Sequence, residues 1–172
     1  MRRVVLLLLL AVLLPSFPLS AQTISAGASA GITYLGGLQQ ALGVNAPSAL
    51  SGTLFVDFDV GTGIAVRLGA NFARAQDAVF SFLETNALWN FPLGRLRGFV
   101  GAGTGLFGMP VELSPSLHLS FQALVGLEND LLRNLIVKVT LQALQVFRVN
   151  GGFLPGAPLL RIEAGITLPF QS

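Results

Sequence analysis

A period-two alternation of apolar and polar residues recurs along residues 23–170 and constrains the fold more than any other feature of this sequence. Successive side chains of a β-strand point to opposite faces of a sheet, so the alternation predicts strands with one apolar and one polar face. Residues that favour turns separate the alternating segments. The predicted strands span residues 23–35, 49–60, 63–73, 79–90, 95–107, 117–128, 135–149 and 159–170.

The first 21 residues have a different organisation, which is typical of a secretory signal peptide. Arg2 and Arg3 precede an apolar run over residues 4–14, and a small-residue site ends at Ala21. We predict a signal peptide over residues 1–21 and a single domain over residues 22–172. Its removal takes away two of the ten basic residues and leaves eight against eight acidic residues. So small a net charge indicates that the mature chain does not bind nucleic acid.

The hydropathy of the chain indicates a membrane protein without spanning helices. Of its residues 52% are hydrophobic and only 10% are charged, whereas an ordinary soluble domain has about 25% charged residues. Beyond the N-terminus, however, no apolar run approaches the ~18 residues of a spanning helix. Only helices and closed barrels satisfy all backbone hydrogen bonds in lipid. The eight alternating segments therefore predict an all-β fold, an eight-stranded antiparallel up-and-down transmembrane β-barrel.

The position of the charges predicts which face of this barrel points inward. Exposing an Arg or Lys to lipid near the membrane midplane costs about 2–4 kcal/mol, whereas buried charges are tolerated when they are paired. We therefore expect the apolar face to contact lipid and the charges to form a network in the lumen. This lumen charge network comprises Asp57, Arg67, Glu84, Arg97, Lys138, Arg161 and Glu163.

Aromatic residues and connections add detail to this prediction. Aromatic side chains concentrate at both interfaces of a membrane, and the ends of the apolar face carry such a girdle in Tyr34, Phe72, Phe147, Phe58, Trp89 and Phe170. With both termini in the periplasm, residues 36–48, 74–78, 108–116 and 150–158 form the outer loops. Residues 61–63 and 91–94 form tight turns, and residues 129–134 form a longer one.

Two stretches of the chain resemble a known family. Residues 97–105, RGFVGAGTG, resemble the glycine-rich strand of small outer-membrane β-barrel proteins, and residues 161–170, RIEAGITLPF, resemble their closing strand with its terminal aromatic. The mature chain is similar in pattern to the eight-stranded, OmpA- or OmpW-like members without a periplasmic domain. The resemblance implies a location in the cell outer membrane and contact with its lipid. It also implies that the barrel-assembly machinery recognises the C-terminal strand.

The interior predicted for such a barrel indicates a mainly structural role. Side chains fill the interior of an eight-stranded barrel, whereas aqueous channels have about sixteen strands. The near-balance of cations and anions in the lumen indicates ion pairing rather than a selective pore. We expect a non-enzymatic and monomeric barrel, porin-like only in a minor passage of ions or small solutes. The glycines at positions 101, 103 and 105 are expected to make room for the long arginine side chains.

Two other functions are alternatives to this one. His118 and Ser120 share a strand face and suggest a lipid-modifying hydrolase, but Glu128 is too far along the same strand to complete a triad with them. A soluble secreted barrel with an apolar ligand is the other alternative. Asp57 and Asp59 are better partners for arginines than ligands for a cation. The sequence indicates no cofactor and no metal, and it contains no Cys.

Overall fold

The computed structural model describes residues 23–36, 39, 44–108, 118–132, 135–148 and 158–170. The predicted signal peptide and most of the outer loops 108–116 and 150–158 lie outside these residues, so the signal peptide remains a prediction. Within the described residues, no helix is long and apolar enough to cross a membrane.

The described chain forms one closed antiparallel β-barrel, which confirms the predicted fold class. Each strand pairs with the next in sequence, and β1 pairs with β8 to close the sheet. The strands are β1 (Thr23–Tyr34), β2 (Ser48–Gly61), β3 (Ile64–Ala75), β4 (Ala78–Leu93), β5 (Leu96–Gly108), β6 (His118–Leu132), β7 (Leu135–Arg148) and β8 (Leu159–Phe170). We call the end that carries both Thr23 and Phe170 the terminal end, and the opposite end the loop end.

Two predicted turns are shorter than expected. The predicted turn at 91–94 is wrong, because β4 continues through Pro92 to Leu93 and the turn lies at Gly94 and Arg95. Pro92 is tolerated there because it lies near a strand end. The predicted turn at 129–134 is also too long, since β6 continues to Leu132. In both cases, the pairing with the next strand continues further than the turn-favouring residues suggest.

The tight turn predicted at 61–63 is confirmed. Gly61, Thr62 and Gly63 all have positive φ, at 86°, 57° and 78°. This left-handed backbone is easily adopted by glycine and costly for most other residues. The carboxylate of Asp59 accepts a hydrogen bond of 2.8 Å from the Gly61 N–H and so stabilises the turn.

The two faces of the barrel have opposite polarity. Large apolar side chains cover the outside and are solvent-exposed in the isolated chain, among them Leu54, Leu83, Trp89, Phe121 and Val139. The inside carries buried polar and charged residues, including Asn71, Glu84, Lys138 and Arg161. A protein surrounded by water has the reverse arrangement, because large contiguous apolar patches are rare on soluble surfaces.

The interior also contains apolar residues, which are concentrated at the loop end. We call this cluster the apolar cap; it comprises Leu35, Val44, Ala49, Ala73, Ala75, Phe80, Phe82, Phe107, Leu144, Val146 and Leu159. Leu35 and Val44 come from the β1–β2 connection, so this connection contributes to the cap. A smaller cluster of Ala65, Leu88, Phe99 and Leu124 lies toward the terminal end.

Two interior aromatic rings lie over glycines of a neighbouring strand. A Cβ atom at Gly126 would overlap the Phe99 ring and the backbone carbonyl of Val139, and one at Gly27 would overlap the Phe55 ring. The missing side chains therefore provide the volume that these rings occupy. Such aromatic–glycine packing across strands helps to set the register of a sheet.

Replacing Gly126 with Ala is expected to lower the free energy of unfolding by about 1–3 kcal/mol, because the added methyl group overpacks the interior. Urea titration of the barrel folded in detergent measures the change. Gly52→Ala is the control, since the nearest atom to its Cβ is the Ser29 carbonyl oxygen at 3.6 Å, an ordinary contact. Equal effects of the two substitutions would show that the Phe99 ring does not depend on Gly126.

Candidate functional site

A buried ion pair between opposite strands lies at the centre of the lumen. Arg161 on β8 donates from Nη1 to Oε1 of Glu84 on β4 at 2.6 Å. The two side chains are only 1% and 4% exposed. Gln142 on β7 accepts from Arg161 Nη1 at 3.1 Å and donates to Glu84 Oε2 at 3.2 Å. The amide of Gln142 thus holds both partners of the ion pair in place.

Glu163 is the second carboxylate at this level, and neutral donors surround it. It accepts hydrogen bonds from Ser29 Oγ at 2.7 Å, from Thr53 Oγ1 at 2.8 Å and from Asn71 Nδ2 at 3.1 Å. Arg161 Nε lies 3.9 Å from its Oε1 atom. Several hydrogen-bond donors to one buried carboxylate offset the cost of its burial. We call Glu84, Arg161 and Glu163 the central charge layer.

A second charge layer lies nearer the terminal end and consists of Asp57, Arg67 and Lys138. Arg67 binds the Asp57 carboxylate through two hydrogen bonds, of 2.7 and 2.9 Å. Lys138 Nζ lies 3.4 Å from Asp57 Oδ2. One carboxylate therefore faces two cations in what we call the terminal charge layer.

Aromatic rings stabilise the excess positive charge of the terminal charge layer. Lys138 Nζ lies 3.7 Å from the centroid of the Phe55 ring, and the Arg67 guanidinium lies 4.6 Å from the same centroid. Arg67 also lies 5.5 Å from the centroid of Phe99. Cations over aromatic faces are attracted by the ring quadrupole, and the attraction is larger when the pair is desolvated.

The net charges of the two layers cancel. The terminal charge layer has two cations and one anion, and the central charge layer has one cation and two anions. Both layers line a cavity of about 20 Å³, to which Arg67 and Lys138 contribute from one side and Glu84 and Glu163 from the other. The arrangement distributes balanced charge along the lumen.

The structure brings together six of the seven residues predicted for the lumen charge network and separates Arg97 from them. The Arg97 side chain is 44% exposed and pairs with Glu128 at 3.0 Å and with Asp130 at 2.7 Å. It is the second residue of β5 and therefore lies at the rim of the terminal end. The alternation placed Arg97 on the inward face but did not indicate its height in the barrel.

The glycines of β5 have a different role from the predicted one. A Cβ at Gly103 would overlap the Thr85 carbonyl and Asn86, and one at Gly105 would lie 2.7 Å from the Leu83 carbonyl. These glycines therefore allow close approach of the β4 backbone, and their nearest neighbours include no arginine side chain. Asp59, a possible cation ligand by sequence, stabilises the β2–β3 turn instead. In the described part of the chain, no group of three His, Cys, Asp or Glu residues is arranged to hold a metal ion.

His118 and Ser120 point into the barrel and are fully buried at the loop end. The His118 ring meets the edge of Phe107 at a centroid distance of 5.8 Å. Glu128 lies toward the other end of β6 and pairs with Arg97. These three residues are therefore not assembled as the catalytic triad of a hydrolase.

The predicted aromatic girdle lies on the outer face. Tyr34, Phe72, Trp89 and Phe170 are between 48% and 59% exposed, whereas Phe58 and Phe147 are half-buried. Trp89 packs against Phe91 with centroids 5.6 Å apart. These side chains lie near the two ends of their strands.

The inward-facing phenylalanines were not predicted from the sequence to be part of the site. Phe55, Phe80, Phe82, Phe99 and Phe107 are all between 1% and 4% exposed inside the barrel. Each of them lies an even number of residues from an inward-facing residue of its own strand, and this position in the alternation could have identified them as inward-facing. Phe55, for example, lies two residues from both Thr53 and Asp57, on the same strand face.

Comparison with known proteins shows a shared fold. The structure is similar to Neisserial surface protein A, NspA, with a TM-score of 0.66 and 12% identity over 87% of this chain and 97% of that one. It is similar to the N-terminal β-barrel domain of Pseudomonas aeruginosa OprF, with a TM-score of 0.61 and 13% identity over 87% and 98% of the two chains. The outer-membrane enzyme PagL matches with a TM-score of 0.53 and 16% identity over 85% and 99%. No protein-family model matches the sequence, and no curated protein matches it.

These similarities confirm that the chain has the fold of small eight-stranded outer-membrane barrels. Identities between 12% and 16% relate the folds alone. The fold occurs in a protein described as an enzyme as well as in the other two, so it does not by itself distinguish a catalytic from a structural role.

Replacing Arg161 with Ala is expected to lower the free energy of unfolding by about 3–5 kcal/mol, because Glu84 is left buried without its cation. Arg97→Ala is the matched control and is expected to cost at most about 1 kcal/mol, because an exposed ion pair contributes little. Urea titration of both variants in detergent measures the two losses. Equal losses would contradict the distinction between a buried and a rim arginine.

Proposed function

We propose that this chain is an outer-membrane β-barrel protein with a mainly structural role and at most minor passage of ions or small solutes. The observation that carries the proposal is the inverted polarity of the barrel. Charged side chains are buried and paired inside, and large apolar side chains form the outer surface. This arrangement suits a lipid surrounding, in which an outward apolar band covers a polar interior.

Three further observations support the membrane location. The strands have 12 to 16 residues, whereas about 9–11 tilted residues are enough to cross a bilayer. Aromatic side chains lie near both ends of the outer face, where they contact the lipid interfaces. PagL, which shares the fold, is described as an outer-membrane enzyme. We infer that the terminal end faces the periplasm and that the apolar band contacts outer-membrane lipid.

The packing of the lumen supports a structural role over transport. Both charge layers cross the interior, and the cavity between them has a volume of about 20 Å³. This volume accommodates a water molecule but no larger solute. A selective pore favours ions of one sign through rings of like charge, whereas the buried cations and anions balance here.

The geometry favours this function over both alternatives. A soluble barrel for an apolar ligand needs an apolar cavity, but mostly polar and charged side chains line the cavity described above. A hydrolase acting on membrane lipid needs a nucleophile that the lipid can reach. His118 and Ser120 are both fully buried within the barrel. We therefore infer a non-enzymatic barrel that requires no cofactor.

Planar-bilayer recording tests the proposed role. The purified barrel is expected to produce only small and intermittent current steps, because paired side chains fill its lumen. Bilayers treated with protein-free detergent provide the control. Large, steady and ion-selective steps from the pure protein would contradict a structural role and indicate a channel.

We also propose that the barrel-assembly machinery recognises the C-terminal strand through Phe170. Phe170 is 56% exposed on the outer face of β8, in the strand that resembles the closing strand of such barrels. Phe170→Ser is expected to lower the folded fraction in the outer membrane, measured by fractionation and detergent extraction. Phe72→Ser is the control, because Phe72 is a similarly exposed aromatic residue on β3. An equal loss in both variants would mean that any outer aromatic residue has the same effect.

A further inference from the structure

A group of buried polar atoms next to the apolar cap has no hydrogen-bond partner in the described part of the chain. Arg161 contributes Nε and Nη2 to this group, and Gln122 contributes Nε2. The other members are Asn71 Oδ1 and the hydroxyl oxygens of Thr33, Ser51 and Ser120. All six residues are less than 9% exposed. We call them the unpaired polar group.

Contacts and strand register place these residues at neighbouring positions. Arg161 binds Gln142, and Gln142 donates to Gln122 at 2.6 Å. Thr33 is the register partner of Arg161 across β1 and β8. Ser120 follows His118 by two residues on the inward face of β6, one step from Gln122 toward the loop end. The register also pairs members of the group with cap residues, Gln122 with Leu144, Ser120 with Val146, Asn71 with Phe82 and Ser51 with Ala73. The unpaired polar group therefore adjoins the cap.

The chemistry of these atoms is that of a water site. Arg161 Nε, Arg161 Nη2 and Gln122 Nε2 can only donate hydrogen bonds, whereas Asn71 Oδ1 can only accept them. A molecule that both donates and accepts satisfies such a mixed set. An anion would be repelled, because the two carboxylates of Glu84 and Glu163 outweigh the single positive charge of Arg161. A cation would face the N–H groups of Arg161, which donate hydrogen bonds and cannot bind it. Buried polar atoms without protein partners are commonly paired with ordered water.

The cavity of the charge layers provides independent support for water in the lumen. None of the six residues of the unpaired polar group lines it. Three of its lining residues, Glu84, Gln142 and Glu163, bind Arg161, Gln122 and Asn71, so the cavity adjoins the group. Its volume of about 20 Å³ exceeds the ~10–15 Å³ that one water molecule needs. Its lining includes Asn86, whose Oδ1 atom also has no protein partner, together with Glu163 and Lys138. Polar partners and sufficient volume are the two conditions for a buried water.

The apolar cap lies between this water site and the solvent at the loop end. Its aromatic core consists of Phe82 and Phe107, with centroids 4.7 Å apart, and Phe80, whose centroid lies 6.4 Å from that of Phe107. Strands β2, β3, β4, β5, β7 and β8 contribute residues to the cap, and β1 leads into it at Leu35. On β6, the His118 ring packs against the cap residue Phe107. Apolar constrictions block water and ions by excluding water from the constricted region.

We propose that the lumen holds ordered water against the unpaired polar group, and that the apolar cap, not the ion pairs, separates this water from solvent at the loop end. The interior is thus a hydrated compartment with an apolar closure. This inference concerns the interior alone and does not depend on the membrane in which the barrel resides.

A single cysteine tests the closure, because the chain contains no Cys of its own. Ser120→Cys places a buried thiol beside the cap, and a charged thiol reagent is applied to the folded barrel in detergent. Labelling is expected to be slow and to become severalfold faster when Val146→Thr or Phe107→Ala is added. Val146→Thr keeps the shape of the side chain and replaces one methyl group of the cap with a hydroxyl, so it provides a test even where Phe107→Ala does not fold.

Two control variants separate an opening of the cap from a general loosening of the barrel and from a loss of the ion pairs. Val139→Thr makes the same change on the outer face of β7, where Val139 is 51% exposed, and is expected to leave the labelling rate unchanged. Glu84→Gln weakens the central ion pair and is expected to have little effect on labelling. Faster labelling with Glu84→Gln than with Val146→Thr would overturn the proposal and assign the closure to the ion pairs. Unchanged labelling in both cap variants would also overturn it.

Nuclear magnetic resonance tests the water site directly. In the wild-type barrel, the side-chain amide of Gln122 and the Nε–H of Arg161 are expected to show cross-peaks to water. The side-chain amide of Gln142, which binds Glu84 and Gln122 directly, provides an internal reference for a group paired with protein. Absence of water cross-peaks from Gln122 and Arg161 would show a dry lumen and refute the proposal.

Discussion

Closure of the sheet between β1 and β8 is the constraint on which the rest of the structure depends. The two strands pair from Ile24 with Phe170 to Tyr34 with Leu160, so the first and last strands leave no open edge. In lipid an unpaired edge would expose backbone groups that no water can satisfy. Closure with this number of strands also limits the interior to the width of a few side chains. Any charge that points inward must therefore find a partner across the lumen.

The charged residues satisfy this requirement in two layers of opposite net charge. In the terminal charge layer, Asp57 pairs with two cations, and the Phe55 ring contacts both of them. In the central charge layer, Arg161 pairs with Glu84, while neutral donors satisfy Glu163. Each layer alone would leave a buried charge uncompensated, which is costly in a medium of low dielectric constant. Their proximity around one cavity makes the interior neutral.

The interior is polar at its centre and apolar at the loop end, and this gradient matters for function. Phe82 connects the two regions, because it packs against Phe107 in the cap and lies 5.2 Å from the Arg161 guanidinium. A barrel closed only by ion pairs would open when those pairs exchange partners. A barrel closed by an apolar cap stays closed as long as its aromatic side chains remain packed. The unpaired polar atoms of Arg161 and Gln122 lie on the hydrated side of that boundary.

The sequence by itself determined the number of strands, their approximate bounds and the polarity of their faces. These properties follow from a local period of two, which any short segment displays without reference to the rest of the chain. Only the tertiary structure decided which residues meet. Glu84 and Arg161 are 77 positions apart and become partners only through the register of a closed sheet. The same register places Arg97 at the rim, outside the charge network, and buries Phe55 beside Lys138. Alternation specifies a face but not a height, and height along the barrel follows from the pairing of all the strands together.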